Sequence, residues 1–166
     1  MSHRPKIRSL GLGIAASVAL LAAIHPGTAA ASPLDDSSIA RTARPAVGAD
    51  SWNLLRATNE SRGRFNLPRL RLNRELSVIA RRHSAAMARS SELFHTANVD
   101  TYLHAIGWSV WGENVGYTPR DVASVERAFM DSPHHRENIL NREFHQVAIG
   151  SVRVDGILWV AVFFYG

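Results

Sequence analysis

VAIGSVRVDGILWVAVFFY, residues Val147 to Tyr165, decides how this chain folds. Asp155-Gly156 separates two runs rich in β-branched and aromatic residues, a strong signal for a two-residue hairpin. The pattern predicts strands over Val147–Val154 and Ile157–Tyr165. The second run, ILWVAVFFY, is apolar at every position. A strand with no polar side is covered on both faces. The expected architecture is therefore an α+β domain with a small antiparallel sheet and helices on both sides of it.

The rest of the chain supplies those helices. Immediately upstream, Ser132-Pro133 in SPHHRENILNREFHQVAIG ends a helix, because the residue before proline disfavours the α conformation. The stretch that follows reads as a charged loop carrying His134 and His135, leading into the strand at Val147. The helix that ends at Ser132 should start at Thr118-Pro119-Arg120-Asp121: a cap, a proline at the first helical position, an acid in the first turn. Val122, Val125 and Phe129 mark its core face. VDTYLHAIG reads as a short helix closed by Gly107. Asn73 is a candidate N-cap for a helix to about Ser90, in which Leu76, Ile79, Ala80, His83 and Met87 form one stripe. FNLPRLRLN reads as a loop or short extended piece. Ser51 to Arg62 reads as the first helix, with Trp52, Leu55 and Asn59 on one face and Gly63 at its stop.

The N-terminal residues have a different character. His3, Arg4, Lys6 and Arg8 precede an apolar run from Leu10 to Ile24, and Ala29-Ala30-Ala31 follows. The run is shorter than the roughly 20 residues a membrane-spanning helix needs. Residues 1–31 are read as a secretory signal peptide, 32–50 as a flexible linker and 51–166 as the folded domain. Secretion to the extracellular side, with no transmembrane segment in the mature protein, is the expectation. Cleavage would remove Arg4, Lys6 and Arg8, leaving 16 of the 19 basic residues against 14 acids. That near balance, with no arginine block, gives no basis for nucleic-acid binding. Lys6 is the only lysine, so the mature domain has no lysine nucleophile. There is no cysteine, which excludes thiol catalysis and disulfide bracing. The domain must hold by its apolar core, and a chain of this size can supply one. No serine sits in a G-x-S-x-G elbow.

Taken in order, several segments carry a resemblance. They are LLRATNESRGRFNLPRLRLNREL, ARRHSAAMA, FHT, GWSVWGENVG, AFMDSPHHRENILNREFHQVAIGSV and LWVAVFFYG. With them the chain resembles the CAP superfamily (SCP, or cysteine-rich secretory, antigen 5 and pathogenesis-related domains), and is most similar to its cysteine-free bacterial branch. The resemblance implies a three-layer α-β-α sandwich. It also implies that His95 of FHT, Glu113 of GEN and His135 converge on a central cleft. Many members have a second cleft acid three residues after a tryptophan; here Phe129 replaces the tryptophan and Ser132 the acid. Glu126, one turn earlier, is not taken as a substitute.

Two readings of the trio follow. Two histidines and one carboxylate are the ligand types of a catalytic zinc set, with His95 and His135 on the metal and Glu113 as the catalytic group. The cofactor would then be a divalent metal such as zinc, and the protein a peptidase-like hydrolase. Alternatively Glu113 accepts hydrogen bonds from the imidazoles and the backbone, and the trio ties loops together. Gly112 and Asn114 flank the acid, and glycine there would permit close backbone approach or an unusual φ. Trp108, Trp111 and Tyr117 cluster around it in sequence, either as core or as the lining of an apolar groove. His83, on its apolar stripe, is read as a hydrogen-bonded core histidine. The leading functional expectation is a monomeric binding or interaction module for a lipid, sterol or cell-envelope ligand, with Trp111 and Asn114 beside the trio in the cleft.

Overall fold

The computed structural model describes residues 46–97 and 99–166. The expected signal peptide, and the linker as far as residue 45, lie outside the described residues. The elements are α1 (Ala49–Arg64), β1 (Arg71–Leu72), α2 (Arg74–Ser90), α3 (Val99–His104), β2 (Trp111–Thr118), α4 (Val122–Asp131), α5 (Pro133–Leu140), β3 (Gln146–Val154) and β4 (Ile157–Tyr165).

The hairpin is where the sequence places it. Asp155 and Gly156 both have positive φ, 50° and 77°, the twist a two-residue connection between right-twisted strands requires. Strand order is β1-β3-β4-β2. The β4 strand is central, antiparallel to β3 along its whole length on one side and to β2 over Leu158–Tyr165 on the other. β1 adds a two-residue parallel step against Gln146 and Val147, too short for any alternation pattern to announce. Beyond it the outer edge of β3 is served by α2: the Ser77 hydroxyl accepts from Ile149 N–H at 3.1 Å.

The apolar run of β4 now has its explanation. Leu158, Val160, Val162 and Phe164 face a core with Leu54, Val125, Phe129 and Ile139 of α1, α4 and α5. Trp159, Ala161, Phe163 and Tyr165 face the other core, with Leu76, Ala80, Met87, Val99 and Leu103 of α2 and α3. The result is a three-layer α-β-α sandwich with β4 buried in the middle.

Several local expectations shift. The first helix begins at Ala49 and runs past Gly63. Its inward face is not Trp52–Leu55–Asn59: Trp52 is 43% exposed, while Ser51, Leu54, Thr58, Asn59, Ser61 and Arg62 are buried. That face is mostly polar, so hydrophobic periodicity misplaces it. Asn59 pairs with both backbone groups of Leu70, accepting at 2.7 Å and donating at 3.1 Å. Arg62 is fully buried and donates to the carbonyls of Pro68, Ile139, Asn141 and Phe144 at 2.8–3.1 Å. Burial holds its guanidinium below the ordinary arginine value.

The α4 cap is Asp121, not Thr118; its carboxylate accepts from Ser124 N–H at 2.9 Å. Thr118 ends β2 instead. Ser132 terminates α4 as expected, but Pro133 then opens a new helix, so the histidine segment is α5 rather than a loop. Proline at a first helical position loses no hydrogen bond and has φ already set. Asn73 does cap α2, accepting from Glu75 and Leu76 N–H. Glu126 belongs to the α1–α4 contact, where Thr58 donates to it at 2.8 Å; burial raises its pKa.

Candidate functional site

The polar cluster hangs on the edge strand β2. Alternation along a strand sends neighbours to opposite faces. Glu113 points to the α2 side, and Asn114 to the α5 side, as their partners show.

Glu113 is buried and heavily bonded. His95 Nδ1 lies 2.8 Å from its Oε2. Thr96 N–H reaches both carboxylate oxygens, at 3.2 and 3.0 Å, and the Thr96 hydroxyl donates to Oε1 at 2.8 Å. His83 Nε2 stands 3.7 Å from Oε1. That nitrogen is also 2.7 Å from the carbonyl of Phe94. A carbonyl only accepts, so His83 carries its hydrogen on Nε2. The carboxylate therefore fastens the segment after α2 onto the sheet, and the helix's own histidine fastens the same segment from below. Thr96 is the partner that sequence reading missed; the threonine of FHT was its signal. His83 is a hydrogen-bonded buried histidine as expected, though it sits closer to Glu113 than a purely apolar stripe suggests.

Asn114 is fully buried. Its amide donates to the His135 carbonyl at 3.0 Å and accepts from Asn138 at 2.8 Å. Asn138 also donates to the Glu113 carbonyl at 3.2 Å. Asn114, expected in the cleft, thus braces α5 from behind. Gly112 serves close approach: a Cβ there would collide with the Asn138 side chain. Two of the three aromatic residues have aromatic partners of their own. Trp108 packs edge-on to Tyr165 at 4.8 Å, and Tyr117 lies on Trp159 at 4.8 Å. Tyr117 is four residues along β2 from Glu113, about 13 Å at strand rise. Trp111 is half-buried against the α2-side core.

The two outer imidazoles differ. The His95 side chain is half exposed, and its hydrogen bond to Glu113 raises its pKa. His135 packs its ring 4.9 Å from Phe129. Burial foremost, then the charges of His95 and His134, lower its pKa. A raised folded value for His95 means its contribution to stability is fully present below about 6.5. That contribution fades as pH climbs through the folded value. The depressed His135 works in the opposite sense: its contribution is lost as pH falls through its folded value. Proton NMR titration should find His95 changing charge above the ordinary histidine value and His135 below it. In Glu113→Gln the His95 midpoint should fall. Equal midpoints for both rings in the unmodified protein would contradict this electrostatic ordering.

The residues do not fit the three-ligand zinc set. Both Glu113 oxygens are engaged, and His95 Nδ1 is taken by that carboxylate. Among the described residues no group of three or more His, Asp or Glu side chains is arranged to hold a metal ion. Only the remaining nitrogens of His95 and His135 are left as donors, with Glu113 orienting one of them from behind.

A sheet sheathed by helices, with a carboxylate on its edge strand tying His95 and Thr96 to the sheet, defines an α-β-α domain whose polar site is built by loops and helix ends. The profile described as the cysteine-rich secretory protein family (CAP) matches residues 55–163, and the chain belongs to that family. It is 28% identical over 152 residues to the uncharacterized protein YkwD of Bacillus subtilis, covering 86% of this chain and 58% of that one. The chain thus spans little more than half of that relative. Among solved structures it is similar to an extracellular SCP-domain protein of Bacillus anthracis: 25% identity, TM-score 0.59, 70% of this chain and 40% of that chain covered. An outer surface protein of Borrelia burgdorferi shares the fold at 20% identity and TM-score 0.60, over 70% and 91% of the two chains. No helix among the described residues is long and apolar enough to cross a membrane.

Proposed function

We infer that this protein is an exported binding module whose loop beside His95 takes a lipid-like or envelope-borne ligand. The observation that carries this reading is the state of Glu113. A carboxylate with both oxygens committed to Thr96 and His95 is a brace, and a general base needs a free oxygen facing substrate. That bonding pattern supports the binding reading over the hydrolase alternative. The segment that Glu113 braces presents Leu93 and Phe94 to solvent, 46% and 41% exposed, directly before His95. Nearby in sequence, α3 turns Val99 and Leu103 inward and leaves Tyr102 exposed, and Ile106 is exposed in the turn that follows it. Apolar side chains held outward by a rigid polar anchor suit a ligand with an apolar body and one polar group. Relatives described as extracellular or outer-surface proteins support placement outside the cell.

Two measurements test this. Organic extracts of the purified protein should contain a lipid-like species by mass spectrometry, depleted in Leu93→Ser/Phe94→Ser; no enrichment over a control domain would count against it. Zinc titrated into the wild type and into His95→Ala/His135→Ala should bind both with the same weak affinity. A gap of roughly tenfold or more, about 1.4 kcal/mol, would reinstate the metal site.

A further inference from the structure

We propose that the groove between the start of α1, the outer face of α2 and the outer end of β3 binds a soluble polymer carrying phosphate groups. It lies where β3 runs on past the end of β1, on the sheet edge opposite the one that carries Glu113. This inference is independent of the proposed ligand at His95.

The groove is open, about 620 Å³, and its walls include Gly48, Asp50, Arg81, Arg89, Ser151 and Arg153. Three of these are arginines and one is an acid. Asp50 takes two donors of Arg153, Nε at 2.9 Å and Nη2 at 3.5 Å, and the Arg120 carbonyl takes a third, Nη1 at 3.4 Å, so the excess positive charge of the groove is carried by Arg81 and Arg89. Arg81 and Arg89 are exposed and have no carboxylate partner among the described residues. The local balance is positive, although the domain as a whole is near neutral. At the third wall, the Gly48 cap of α1 offers no side-chain hydrogen bond to the first-turn N–H groups.

The arrangement of donors selects the anion. A carboxylate has two coplanar oxygens and satisfies one guanidinium fork. Free donors here come from two walls, the helix arginines and a helix start, and an anion with oxygens in several directions meets both. Spacing selects the length. Arg81 and Arg89 lie about 12 Å apart along the axis of α2, two helical turns and more, so one phosphate does not serve both at once. A chain with successive phosphates does. The concave shape disfavours a flat bilayer, whose headgroups cannot enter a groove walled by a helix and a strand.

The test uses the full chain and three probes: inorganic polyphosphate, polyglutamate of matched charge, and vesicles containing phosphatidylglycerol. Polyphosphate should bind with an affinity that falls as salt rises. Arg81→Ala/Arg89→Ala should weaken it roughly tenfold, in line with the loss of two charged contacts. Asp50→Asn, which frees Arg153 from its carboxylate, should strengthen it about two- to threefold. Arg64→Ala/Arg142→Ala, which removes the same charge from exposed positions outside the groove lining, should leave it within a factor of about two. The proposal is overturned if the two arginine pairs weaken binding equally, if Asp50→Asn weakens it, or if polyglutamate or vesicles bind as tightly as polyphosphate. Circular dichroism of each variant separates loss of binding from loss of fold.

Discussion

Arg62→Met should lower the unfolding free energy by about 3–5 kcal/mol, among the largest single-residue losses this domain can show. The side chain is fully buried and serves four carbonyl oxygens, those of Pro68, Ile139, Asn141 and Phe144. Methionine matches the stem but donates nothing. Each stranded buried carbonyl costs about 1–3 kcal/mol, partly offset because the guanidinium no longer has to be desolvated. Arg62→Lys should recover only part of the loss. Its donors radiate from one nitrogen, and the four acceptors sit around a planar fork. Urea unfolding followed by circular dichroism measures the effect. A loss below about 1 kcal/mol would mean that water replaces the fork, and that the guanidinium is not the structural hub. The effect should extend to the site, because two of the carbonyls belong to the end of α5 and the residue after it, and α5 carries His135. In a partly destabilised Arg62→Lys protein, the His135 titration should move toward the ordinary histidine value.

Gly150→Val should be comparably severe for the opposite reason: excess rather than missing atoms. A Cβ at Gly150 would overlap the α2 backbone at Ala80 and Arg81. Backbone cannot rotate aside as a side chain can, so α2 must lift from the sheet. Overpacking of this kind costs about 1–3 kcal/mol and more when a whole helix is displaced. It should also disturb His83, which rides on α2 and holds the Phe94 carbonyl. Gly63→Ala is the internal control. No atom lies within 4 Å of its added Cβ, and the site is helical, so the change should stabilise by about 0.5–1 kcal/mol. Thermal unfolding of the pair should move Tm in opposite directions; a shift of the same sign would undo the packing argument.

The parts of the fold that were legible were those governed by period and punctuation. An apolar strand, a two-residue turn and an asparagine cap each have one physical cause, visible within a few residues. Arg62 and Gly150 had no such signature. An arginine at a helix end reads as a solvated charge until distant carbonyls converge on it, and a glycine in a strand reads as a weakness until a helix is laid across it. The inward face of α1 failed for a related reason: Ser51, Thr58, Asn59 and Arg62 are buried by polar partnerships that no hydrophobic count detects. At the site, family resemblance named His95 and Glu113, and the structure joins them directly. It could not assign their division of labour, because Thr96 and Asn138 decide it through contacts far apart in the chain.

Both layers of the sandwich close on β4, and β4 is the last strand of this domain to be synthesised. Until Ile157–Tyr165 arrives, neither helical layer has its floor, so the chain stays an unfinished and open polymer. That segment carries no charge and no proline, the composition that self-associates when exposed. Cellular yield should therefore depend on how quickly the hairpin is captured.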